Sequence, residues 1–149
     1  MPNILVTPAK GLFQQAGTAG SLSGQRRAVI TTTANTTLTA ADSGKLILLD
    51  GSTTHDVTLP SAAAGLHFKF VLIDATADVD IVQASNTEDF VGLIVDGGGS
   101  KDSAQASDTK IIFDQSGGAT VGDTVSLECN GTNWFVSGLC DNPAGVVFG

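Results

Sequence analysis

Tyrosine is absent from this chain of 149 residues, tryptophan and methionine each occur once, and histidine and cysteine each occur twice. These scarcities narrow the chemistry. A hydrolase needs a nucleophile beside a positioned base, and histidine is the commonest base. His55 lies in a turn-like stretch, Gly51-Ser52-Thr53-Thr54-His55-Asp56, but neighbours along an extended chain do not converge as catalytic groups do. His67 alternates with Lys69 on one side of a strand and reads as a half-exposed strand residue. No catalytic residue is expected. Two cysteines and two histidines lack finger-like spacing, so no zinc site is expected.

Basic residues are also few, 7 against 15 acidic, giving a net charge of −8 and a pI near 4.3. Binding to a phosphate backbone requires clustered Lys and Arg, so nucleic acid is not an expected partner. The one adjacent basic pair, Arg26-Arg27, makes no patch. No run approaches the ~20 apolar residues that cross a bilayer, so no membrane partner is expected. The opening Met1-Pro2-Asn3-Ile4 lacks a charged segment followed by a long apolar one, which leads to the expectation of synthesis in the cytoplasm without secretion.

What the sequence does contain is apolar surface without much charge. Hydrophobic residues make up 42% of the chain, enough to offset the entropy of ordering one domain. Charged residues reach only 15%, below the roughly 25% of ordinary soluble domains, so Ser, Thr, Ala and Gly must cover much of the exterior. Such a surface costs little to desolvate and suits burial against a partner.

Residues 1–26 read as an extended N-terminal arm. Pro2, Pro8 and the glycines at 11, 17, 20 and 24 oppose a helix or a central strand, while Ile4, Val6, Leu12 and Phe13 supply apolar anchors. Residues 27–149 read as a single β-domain, a compact antiparallel β-sandwich or barrel, because short β-rich runs alternate with Gly, Asp, Asn and Ser clusters. Strands are expected over 28–33, 45–50, 56–59, 66–73, 79–82, 93–95, 110–113, 124–129 and 133–137. The run Leu46-Ile47-Leu48-Leu49 is apolar on both faces and is expected to be covered on both. In the clearest alternation, Leu66, Phe68, Phe70 and Leu72 share a face that must be core. The expected core adds Leu46, Leu48, Ile81, Ile112, Val125, Leu127 and one face of a hairpin carrying Trp134. At most one helical turn fits, over 61–65.

The remaining candidate sites are weak. Asp74, Asp78 and Asp80 form a carboxylate cluster without the order or terminal Glu of an EF-hand, leaving only a weak cation site open. The glycines at 97–99 before Ser100-Lys101 lack the P-loop spacing. No cofactor and no metal are expected. Cys129-Asn130-Gly131-Thr132-Asn133-Trp134 reads as a hairpin with Cys129 opposite Trp134 and Cys140 opposite about Asp123. That separates the thiols by roughly 20 Å along the strands, beyond the ~7 Å between disulfide-bonded Cα atoms. Both cysteines should stay reduced. The sequons at Asn35 and Asn130 are read as chance, the second as a turn.

Asp42-Ser43-Gly44-Lys45, Val57-Thr58-Leu59-Pro60 and Gly65-Leu66 followed by Phe68-Lys69-Phe70 resemble a module that recurs in tailed-phage virion proteins. Gly122-Asp123-Thr124-Val125-Ser126-Leu127 with Asn130-Gly131-Thr132-Asn133-Trp134 is similar to the closing hairpin of those modules. The resemblance spans roughly residues 42–138. It implies a structural role at the capsid surface of a virion, of the decoration or cement type, with the major capsid protein as partner and assembly as a homotrimer. A tail fibre or receptor-binding tip is the alternative it leaves open. It carries over no catalytic residue.

Overall fold

The computed structural model describes residues 27–99 and 101–149, together with the backbone pairing of two earlier strands. Those two, β1 (Ile4–Thr7) and β2 (Gly11–Gln14), form an antiparallel hairpin that sets Val6 opposite Leu12 and Leu5 opposite Phe13. The segment expected to be a plain extended arm therefore contains two paired strands. The side chains of Ile4, Val6, Leu12 and Phe13, proposed as anchors, lie outside the described residues.

From β3 (Val29–Thr32) onward the chain crosses back and forth between two sheets. It passes to β4 (Thr36–Thr37), makes a single 3-10 turn at Ala40–Asp42, and returns as β5 (Leu46–Asp50). It crosses again to β6 (His55–Thr58), returns as β7 (His67–Asp74), crosses to β8 (Val79–Val82) and returns as β9 (Asp89–Asp96). A short β10 (Lys101–Ser103) folds back on β9, β11 (Lys110–Phe113) crosses once more, and β12 (Thr124–Cys129) and β13 (Asn133–Cys140) form a hairpin. The last strand is β14 (Val146–Phe148). The seven-stranded sheet has the order β10-β9-β13-β12-β7-β5-β3, and the five-stranded sheet β14-β11-β8-β6-β4.

The all-β sandwich is thus as expected, but its pairing is mixed rather than antiparallel. A strand that reaches its own sheet again by way of the other sheet arrives in its original direction. Hence β3, β5 and β7 run parallel, as do β4, β6 and β8. Hairpins and foldbacks supply the antiparallel ladders of β12 with β13 and β10 with β9. Turn clusters between apolar runs look alike whether the chain makes a hairpin or an arch between sheets, so spacing did not reveal direction.

The core fills the space between the sheets. Phe68, Phe70 and Leu72 of β7 point into it beside Val125 and Leu127 of β12, and Trp134 of β13 is fully buried. Phe68 sits between Phe70 and Trp134, with ring centroids 6.3 and 5.9 Å away. In β5 the core residues are Ile47 and Leu49, not Leu46 and Leu48, and in β11 they are Ile111 and Phe113, not Ile112. Leu46-Ile47-Leu48-Leu49 is apolar at every position, so the two-residue period does not reveal which set faces inward, and only pairing fixes that phase. In β11 the period itself carries the phase: Ile112 shares its side with Lys110, and Ile111 and Phe113 share the other. Leu46 and Leu48 face outward and are half-buried beside Val29 and Val71, their register partners. No second layer covers them among the described residues.

Candidate interaction surface

The outward side of the seven-stranded sheet is the most distinctive surface of the molecule. Large apolar side chains that remain exposed are Val29, Ile73, Val91, Leu93, Val121, Phe135 and Leu139. Six of the seven lie on this side, and Val121 lies in the turn leading into β12, where it lines a shallow depression with Leu139. They cluster because the register aligns them: Phe135 pairs with Val91, Leu139 with Val95, and Val29 with Leu46. Phe135 is 45% exposed and Leu139 65%, so much of their apolar surface stays in water at ~25 cal/mol per Å². The sequence shows these residues plainly, but the missing fact was that β9 and β13 lie side by side, in parallel, across more than forty residues of chain.

Charge on this side is sparse. Along the middle of the face, β7 contributes His67 and Lys69 and β12 contributes Ser126 and Glu128, with His67 opposite Glu128 and Lys69 opposite Ser126. A small depression in this strip is lined by Arg27, His67, Lys69, Ser126 and Glu128. The outer side of the five-stranded sheet has the opposite character. There Lys110 donates to Asp80 at 2.7 Å, and this bond, helped by Asp56 and Asp78 nearby, raises the lysine above its ordinary pKa. Three carboxylates around one ammonium keep that side hydrated and acidic. The two sides are therefore chemically distinct: one resists desolvation and the other favours it.

The residues considered for chemistry fall elsewhere. His55 is buried on the inner side of β6, where its Nδ1 meets the Thr53 carbonyl at 2.9 Å and its Nε2 meets Thr32 Oγ1 at 3.1 Å. A carbonyl only accepts, so in the neutral ring Nδ1 carries the proton and Nε2 accepts from the Thr32 hydroxyl. The pair joins the two sheets inside the sandwich, with Thr32 only 1% exposed. Asp74, Asp78 and Asp80 do not converge. Asp74 accepts from the Thr76 amide, Asp78 from the Gln115 amide, and Asp80 pairs with Lys110. Among the described residues no group of three or more His, Cys, Asp or Glu could hold a metal ion.

Cys129 pairs with Trp134 in the hairpin register, as the turn at Gly131 predicts, and both cysteines are free and buried. Burial, reinforced by Asp123, Asp96 and Asp141, pushes the Cys140 thiol up, so it stays protonated and unreactive near neutral pH. Sequence reasoning missed the interior polar groups, among them Gln83, Asp96 and Glu88. Glu88 is buried just before β9, accepts from Trp134 Nε1 at 3.0 Å and from the Ala62 amide at 2.8 Å, and so ties two sheet strands to the loop before β7. The family models and the curated proteins with which the sequence was compared contain no match.

Proposed function

We propose that this chain is a capsid decoration protein of a tailed-phage virion, a non-enzymatic cement that binds the outer surface of the shell and bridges its subunits. The observation that carries the proposal is the segregation of exposed apolar residues onto one side of the seven-stranded sheet, backed by an acidic opposite side. A sandwich with this polarity has one side to bury and one to leave in water. The resemblance of residues 42–138 to virion modules supplies the setting, and the major capsid protein is the partner it implies. The N-terminal residues Ile4, Val6, Leu12 and Phe13 would add contacts to a neighbouring subunit, an extended-segment mode of attachment. Stabilisation of the shell would then depend on a few well-packed anchors rather than on total area.

Co-sedimentation of the purified protein with expanded empty capsids tests this reading. Saturable binding that raises the temperature at which the capsids open is the expected result. Absence of binding to capsids, together with binding to tails or to host cell surfaces, would overturn it in favour of a fibre or receptor-binding tip.

A further inference from the structure

Across the outward face of the seven-stranded sheet, large apolar residues lie on both flanks and polar residues in the centre. On one flank, β13 and β9 present Phe135, Leu139, Val91 and Leu93. On the other, β5 and β3 present Leu46, Leu48 and Val29. Between them β12 and β7 carry Ser126, Glu128, His67 and Lys69. The outward residues also form rows that cross the strands. The row through Leu48, Val71, Thr124, Leu139 and Val95 is mainly apolar, whereas His67, Lys69, Ser126 and Glu128 occupy the two rows beyond it on the central strands.

We infer that this face pairs with the same face of a second copy, about a two-fold axis that runs along the strands between β12 and β7. The inference rests on the reading that the face is buried in an assembly. Such an axis places β12 over the partner's β7, β13 over its β5, and β9 over its β3, because these strands are equidistant from the centre in the sheet order. It keeps every row opposite itself. Leu139 therefore meets Leu48 of the other copy, Leu93 meets Val29, and the mainly apolar row meets its own image. In the middle, the Glu128 position of each copy lies over His67 and beside Lys69 of the other. The contact is self-complementary in both shape class and charge, as an isologous interface must be.

Two further considerations favour a second copy over another occupant. Five gaps of ~4.8 Å between the six matched strands, and strands about 13–25 Å long, give a footprint on the order of 500 Å². That is more than half of the ~800 Å² that each partner contributes to an interface of standard size. Each copy also carries a net charge of −8, so two copies meet at least cost where acids are few, and Glu128 is the one acidic residue among the outward positions of the central strands. The virion resemblance implies a trimer, whereas this arrangement of residues implies a pair.

Light scattering on the full chain, with concentration varied, tests the pairing. The wild type should show twice the chain mass of 15.1 kDa. Leu139→Glu should run as a monomer that keeps its folded β-sheet signature, since that side chain is exposed. The decisive arm uses Glu128→Lys and Lys69→Glu. Each alone sets like charges against each other across the axis and should weaken self-association at least about tenfold. An equimolar mixture of the two should restore pairing, because every cross-axis contact in the mixed dimer is again between opposite charges. A contact within one chain cannot give that rescue. A wild-type monomer at all concentrations, a trimer, or a mixture that fails to recover would overturn the inference. Capsid co-sedimentation reads the decoration role separately, so a dimer that ignores capsids would defeat that role alone, and a capsid-binding monomer would defeat the pairing alone.

Discussion

Replacing Glu88 with alanine removes the acceptor for two buried donors at once. Trp134 Nε1 donates to it at 3.0 Å from a fully buried indole, and the Ala62 amide donates at 2.8 Å from a half-buried loop. Hydrogen bonds to a charged acceptor are worth roughly 1.5–3 kcal/mol each, and a buried donor left unpaired forfeits its solvation as well. The indole should bear the full loss, about 2–3 kcal/mol, while water can reach the loop amide and limit its loss to about 1 kcal/mol. The sum of about 3–4 kcal/mol corresponds to a fall in melting midpoint on the order of 10 °C for a domain of this size. Glu88→Gln keeps one oxygen to accept but turns an NH2 group toward the second donor, so about half the loss should remain. Trp134 is the only tryptophan, so its fluorescence reports both the melting transition and the polarity around the indole. A midpoint for Glu88→Ala within 2 °C of the wild type would show that the carboxylate does not hold these elements together.

Other outcomes follow from the interior and from acid titration. Phe70→Ala should cost about 3–5 kcal/mol, since the ring is fully buried at the centre of β7, and chemical denaturation with an unchanged midpoint would remove it from the core. Gly92→Ala should be at least as damaging, because a Cβ there would overlap the Val136 backbone on the adjacent strand and the residue sits at φ +148°; Gly65→Ala, at φ +86° with open space around it, is the comparison and should cost only ~1–2 kcal/mol in melting assays. Asp42 is held at about 2 by its bond to the Lys45 ammonium and by Thr39. Its folded-state value lies below the unfolded one, so its contribution is complete above about pH 4 and is lost as pH falls towards 2. Solvent screening limits that contribution to at most about 1 kcal/mol. Lys45→Met should flatten the pH dependence of stability in this window, and an unchanged slope would refute the assignment.

Alternation within single strands was legible without the structure wherever apolar and polar residues truly alternate. Leu66, Phe68, Phe70 and Leu72 were placed in the core by period alone, and Val79–Val82, Lys110–Phe113 and Thr124–Cys129 matched their expected bounds. The turn at Gly131 fixed the β12–β13 register, because a tight hairpin leaves no freedom in pairing. Local chemistry failed where it was degenerate. In Leu46-Ile47-Leu48-Leu49 both phases are apolar, so only the neighbouring strands decided which side chains entered the core. The candidate interaction surface was hidden for a related reason: Val29 and Phe135 are ordinary strand residues in sequence, while Val91 and Leu139 lie beyond the expected strands 93–95 and 133–137, in the longer β9 and β13. They became one face only when parallel crossings between the sheets brought β9 to β13 and β3 to β5, long-range choices made by the burial of the whole core rather than by any local residue pattern.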